Sequence, residues 1–179
     1  MIRRGLALAV MLTGVLAGPG YAENPGVGQK GEKMTDIQKF VMQPIGKVRK
    51  QDDKIFLEIK PEFAPALKGL EDFSHLWVLY WFHENDRPKA RATLQVHPRR
   101  DPANPLTGVF ACRAPERPNL IGLCACRILR IEGHRVEVAG LDARDGTPIV
   151  DLKPYIPKGD AIPEATTPGW VKRSKPPVD

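Results

Sequence analysis

The sequence predicts an all-β domain, a barrel or a sandwich, on three observations. Short apolar runs recur between Pro- and Gly-marked breaks; several alternate apolar and polar residues with period two, as IFLEI and VEVAG do; and neither a strand–helix–strand rhythm nor a long amphipathic helix interrupts them. A chain of 179 residues suits one domain that buries a real core.

The first 22 residues are set apart as a secretory signal peptide. Arg3 and Arg4 precede an apolar run from Gly5 to Ala17, and the small residues around Gly20-Tyr21-Ala22 supply a cleavage site. The run is shorter than the roughly 20 residues of a membrane span, so no stable membrane insertion is expected. The processed chain would be periplasmic or secreted, whereas translation from Met34 would leave it cytoplasmic. Residues 23–40 carry too little apolar content to pack and read as a leader or linker.

Strands are expected over residues 41–50, 54–60, 74–84, 92–97, 108–112, 123–133, 135–141 and 148–155. The 74–84 run, SHLWVLYWFHE, is almost continuously apolar and is expected at the centre of a sheet, buried on both sides. PEFAPALKGL, residues 61–70, reads as a short helix or turn closed by Gly69. The body of the domain, residues 41–160, then gives way to a Pro- and Lys-rich extension over residues 161–179.

Composition narrows the function only slightly. The formal charge of +6 becomes +4 once residues 1–22 are removed, a mild excess that favours anionic partners without demanding nucleic acid. Three cysteines, Cys112, Cys124 and Cys126, fall in expected strands and read first as small buried apolar residues. Cys124 and Cys126 share a strand face and are too far apart along it for an easy mutual disulfide; Cys112 can bridge to one of them only across neighbouring strands. C-x-C alone is weak evidence for zinc, so no metal is expected. No G-x-G-x-x-G occurs, which argues against a Rossmann cofactor site.

Three stretches can carry chemistry. In GVFACRAPERPNLIGL, residues 108–123, Pro115 and Pro118 stiffen a loop bearing Arg113, Arg117 and Asn119. Guanidiniums fixed this way can grip an anion, or pair with neighbours such as Glu116 while Asn119 forms a turn. In LDARDGTPIVDLKPYIP, residues 141–157, Asp145-Gly146 is a hairpin signal, and Asp142 is not needed by such a turn. The two carboxylates can hold a ribose or an ammonium, or simply cap turns. Asp151, Lys153 and Tyr155 alternate along the next strand and share a face that lines a site or is wet. In FSHLWVLYWFHEND, residues 73–86, His83-Glu84 closes a buried strand, where a histidine can act as base or clamp.

These stretches, with PIGKVR and GLEDFSHLWVLYWFHE, together resemble the TsaA-like family of TrmO-type proteins from about Pro44 to Pro157. The resemblance implies a single-sheet, closed or nearly closed β-barrel of mainly antiparallel strands, with short helical turns. It also implies S-adenosyl-L-methionine as cofactor, a homodimer, and N6-methylation of threonylcarbamoyl-adenosine in tRNA. By position, Phe82, His83, Glu84, Arg113, Leu123, Asp142, Asp145, Gly146 and Thr147 would contact the cofactor. Arg117, Asn119, Lys153 and Tyr155 would contact substrate, tRNA or a small molecule, and His83 and Asp142 are the candidate bases. Methyl transfer from a sulfonium needs alignment and loss of a proton more than covalent help. The chain departs from the family pattern in lacking an extra loop after the first strand, in Leu120 where N-P-I-G is usual, and in Cys112 and Ala114 flanking Arg113. The alternatives are an exported, non-catalytic small-molecule binder using the same cleft and a methyltransferase acting on a small metabolite.

Overall fold

The computed structural model describes residues 41–172. The expected signal peptide and leader lie outside them, as does the extension from residue 173.

Six strands close into one barrel in the order β1-β2-β7-β6-β3-β8, every pairing antiparallel. They are β1 (Gly46–Gln51), β2 (Lys54–Ile59), β3 (His75–Trp81), β6 (Ile121–Glu132), β7 (Arg135–Ala139) and β8 (Pro148–Pro154). Two further strands, β4 (Gln95–Val96) and β5 (Thr107–Gly108), form a separate two-stranded ribbon. The closed, mainly antiparallel barrel is the expected fold. Closure gives every barrel strand a partner on both sides, the β1–β8 seam being the shortest with Gly46 and Lys47 opposite Ile149 and Pro148, and alternate side chains fill the interior. Val48, Leu57, Leu76, Val78, Val136 and Ile149 are each fully buried there.

Sequence chemistry sets each connection. β1 and β2 join through Asp52 and Asp53, both in left-handed backbone (φ 50° and 60°), with Gln51 paired to Lys54. Positive φ at both central residues is the two-residue turn whose twist suits a hairpin, and aspartate tolerates it. There is thus no room for a longer loop at this corner. Gly133 and His134 similarly separate Glu132 from its partner Arg135 between β6 and β7.

Three expectations are corrected. The 74–84 run is not buried on both faces: Leu76, Val78 and Tyr80 point into the barrel, whereas Trp77, Leu79 and Trp81 are half-buried on its outer wall. A single-sheet barrel has one interior, so the outer residues find local cover instead, Trp77 against Tyr155 and Trp81 beneath Arg91. Residues 92–97 are not a core strand; Pro88 starts a helical turn, α1 (Pro88–Ala92), that leaves only β4 extended. Residues 108–112 are not a strand: a 3-10 turn, Val109–Ala111, follows β5, with Val109 buried and Phe110 86% exposed, so Cys112 lies in a loop. All three cysteines are free. Residues 61–67 form the expected short helix, of 3-10 type, followed by Gly69 at φ 86°. Among the described residues no helix is long and apolar enough to cross a membrane.

Candidate functional site

Two loops meet at the barrel rim where β1 and β3 end and β6 and β8 begin. The first, residues 140–147, is not a hairpin as expected. β7 pairs with β2 and β6 while β8 pairs with β1 and β3, so this segment crosses the barrel end. Leu141 and Ala143 plug the core, and Asp142 and Arg144 alternate with them on the exposed side. Gly146, at φ 76°, lets the chain turn into β8 while its N–H reaches the Val48 carbonyl at 2.8 Å. The second loop, residues 109–120, is anchored by buried Val109 and by Leu120, whose carbonyl accepts the Phe82 N–H at 2.8 Å.

Between these loops lies a hollow of about 580 Å³. Phe82, His83, Glu84, Arg113, Arg117, Leu123, Asp142 and Thr147, all nominated from sequence, line it. Arg113 and Asp142, distant in the chain, thus share one cavity. Among the described residues neither side chain has a hydrogen-bond or ion-pair partner. Glu84, by contrast, is paired with Arg144 across the mouth.

Other nominated residues stand elsewhere or do other work. Asp145 does not line the hollow: it accepts the Lys50 N–H at 2.8 Å and lies 3.3 Å from the Arg49 guanidinium. That N–H bond, and then the guanidinium, hold its carboxyl below the usual range. Gly146 shapes the same turn. Arg117 touches the hollow, but its guanidinium donates to the Val109 carbonyl and, at 2.9 Å, to that of Cys112, so it staples the loop on itself. Its buried Nε is left without a partner. Glu116 pairs with Arg100 at 3.3 Å, not with Arg117. Asn119 is exposed outside the hollow. Lys153 is paired with Asp151 at 2.9 Å, and Tyr155 packs on Trp77 with ring centroids 5.5 Å apart; both lie outside the hollow.

The hollow also holds residues that the sequence did not nominate for a site: Lys50, Tyr80, Arg100, Gly122, Arg144 and Cys124, the last read only as a small buried apolar residue. Gly122 was legible in principle, because an isolated glycine in a strand signals a close approach. A Cβ there would lie 2.4 Å from the Tyr80 ring. Tyr80 uses that space, and its hydroxyl donates to the Asp142 carbonyl at 3.0 Å, tying the crossing loop to β3. Burial pushes the Tyr80 hydroxyl up to about 12. The Cys124 thiol, facing the hollow from β6, is lowered to about 6, mainly by the hydrogen bond from Cys126. Cys126 is raised by the same bond and by burial. The Cys124 thiol also lies 3.2 Å from the Gly140 carbonyl, which accepts from it when it is protonated.

The fold and the hollow define a class: a small antiparallel barrel with a hollow at its rim, between a crossing loop and a Pro-braced basic loop. Residues 35–161 match the tRNA-methyltransferase O N-terminal domain, and the chain belongs to that family. It is 40% identical over 128 residues to a probable S-adenosyl-L-methionine-binding protein of Pyrococcus horikoshii, covering 72% of this chain and 91% of that one. To the mouse tRNA (adenine(37)-N6)-methyltransferase it is 46% identical over 96 residues, covering 54% of this chain and 22% of the mouse protein. The solved structure of TrmO from Pseudomonas aeruginosa superposes with a TM-score of 0.56 at 32% identity, over 72% of this chain and 61% of that one. A further TrmO structure gives 0.60 at 35% identity, over 78% and 66%. The chain therefore spans about two thirds of the solved TrmO chains.

Proposed function

We propose that this chain is an S-adenosylmethionine-dependent methyltransferase whose acceptor is the N6 of a modified adenine in tRNA. The observation that carries the reading is the unpaired Arg113 guanidinium and the unpaired Asp142 carboxylate in one hollow. The donor carries a carboxylate, an ammonium, ribose hydroxyls, an adenine and a sulfonium, and the residues present fit it. Arg113 offers a planar fork for the carboxylate, Asp142 accepts from the ammonium or ribose, and Phe82 gives an apolar face for the base. Glu84 is the poorer partner, since a ligand must compete with Arg144 for it. A hollow of about 580 Å³ also lies within the range of small-molecule sites.

When bound, the donor supplies an electrophilic methyl group on sulfur. The chain's own task is to align the acceptor and remove its proton. His83, half-buried just past β3, and Asp142 are the groups at the rim able to hold that proton. The test is transfer of tritiated methyl to tRNA bearing threonylcarbamoyl-adenosine. Label is expected in the RNA with the wild-type chain, and transfer about ten- to a hundredfold slower with Arg113→Ala, the loss of one charge-assisted hydrogen bond. Absence of label from folded wild-type protein would contradict the proposal.

Methyl transfer to tRNA belongs in the cytoplasm, where donor and acceptor occur. A mature chain beginning at Glu23 and recovered from the periplasm would count against it and favour the exported binder. The homodimer is carried as part of the proposal, supported by the half-exposed outer wall formed by Trp77, Leu79 and Leu123. Sedimentation equilibrium giving a monomer at micromolar concentration would remove it.

A further inference from the structure

The positive charge of the described chain is concentrated in one layer. Residues 41–172 carry 20 basic and 17 acidic side chains, and residues 84–118 alone account for seven and four of them. The rest balances at 13 against 13. This layer is one connected surface beside the hollow. Arg91 on α1 reaches the Pro118 carbonyl at 3.1 Å, Arg100 meets Glu116 at 3.3 Å, and the Leu94 carbonyl accepts the Val109 N–H at 3.0 Å.

Within the layer the acids are already engaged. Asp86 binds Arg91 at 2.8 Å, Glu84 binds Arg144, Glu116 binds Arg100, and Asp101 accepts the Ala103 N–H at 2.9 Å. Arg87, Lys89 and Arg99 are exposed, and among the described residues their side chains have no partner. Arg99 and Arg100 both adopt left-handed backbone, with φ of 61° and 57°. Such a pair is unfavourable for arginine and persists only where the surroundings fix it. Buried Asn104 does so: its side chain donates to the Pro98 carbonyl at 3.0 Å, and its own carbonyl lies 2.7 Å from His97 Nδ1. Phe110, in the same layer, adds an exposed ring.

We infer that the 84–118 layer is a docking surface for the RNA backbone, with Arg87, Lys89 and Arg99 neutralising phosphates while Phe110 stacks on an unpaired base. Free cations interleaved with an exposed aromatic are the chemistry of a single-stranded nucleic-acid surface. Their position sets a bound strand beside the mouth of the hollow, where Asn85 and Arg100 belong to both surfaces. The choice of RNA among polyanions rests on the proposed methyl transfer.

The test is fluorescence anisotropy of a labelled tRNA transcript titrated with the chain between about 50 and 200 mM salt, with no methyl donor present. The triple variant Arg87→Ala, Lys89→Ala, Arg99→Ala is expected to bind on the order of tenfold or more weakly at low salt, with its log–log salt slope reduced by about two to three. A control triple, Lys54→Ala, Lys68→Ala, Lys158→Ala, removes equal charge elsewhere and is expected to keep the wild-type slope. Equal losses in the two triples, or a wild-type slope in the first, would overturn the inference. Charge-dependent binding to phosphatidylserine vesicles without binding to the transcript would overturn it too, reassigning the layer to a membrane. Because no donor is present, the result stands apart from whether the hollow takes S-adenosylmethionine.

Discussion

Tyr80 and Gly122 form the contact on which the rim depends. The ring occupies the space that a side chain at 122 would need, and its hydroxyl fixes the backbone of Asp142. Gly122→Ala is expected to cost about 1–3 kcal/mol, the usual penalty for overfilling a packed site, read as a lowered urea midpoint. Tyr80→Phe is expected to cost about 1 kcal/mol for the lost hydrogen bond. It should weaken ligand binding as well, because Asp142 loses its anchor; unchanged binding would show that the crossing loop holds itself. Cys124 gives a second test at this scale. Its alkylation by iodoacetamide should rise through about pH 6, with Cys126 far slower, followed by peptide mass spectrometry. Preferential labelling of Cys126 would contradict the pairing.

The crossing element, residues 140–147, converts barrel order into a site. It is held at one end by Asp145 on the Lys50 N–H and closed over the mouth by Arg144 on Glu84. Asp145 has a folded-state carboxyl below its unfolded value of 3.8, so its contribution to stability is fully present above that pH and is lost as pH falls through the folded value. The urea-midpoint difference between wild type and Asp145→Ala should thus be full at pH 7 and shrink below 3.8. A difference that grows in acid would contradict the capping role. Arg144 is exposed, so Arg144→Ala should change stability by less than about 1 kcal/mol while altering ligand dissociation measured by stopped flow. This pair was not legible in sequence, because Glu84 and Arg144 are 60 residues apart and only the barrel order brings them together. β1, β2, β6, β7 and β8 were legible, since period-two alternation records a sheet with one buried face. The short β4 and β5 were not: the apolar runs around them pack a loop layer, and Pro88 starts a helix that alternation cannot reveal.

At the scale of the whole molecule, closing six antiparallel strands leaves the rim as the place where loops converge. The fold and Arg113 could be read from composition, Pro bracing and the resemblance of four ordered blocks. The resemblance assigned Arg113 to the cofactor and Arg117 to the substrate, but only the folded loop shows that the Arg117 guanidinium is spent on carbonyls, whereas that of Arg113 has no partner among the described residues. Lys153 and Tyr155 were nominated from a shared strand face, but that face is the outer wall. The central claim is that this rim hollow, through Arg113 and Asp142, holds the methyl donor. Isothermal titration of the chain with S-adenosylmethionine tests it most directly. A single site of roughly micromolar affinity is expected, weakened about ten- to a hundredfold in Arg113→Ala. No heat from folded protein, or undiminished affinity in that variant, would contradict it.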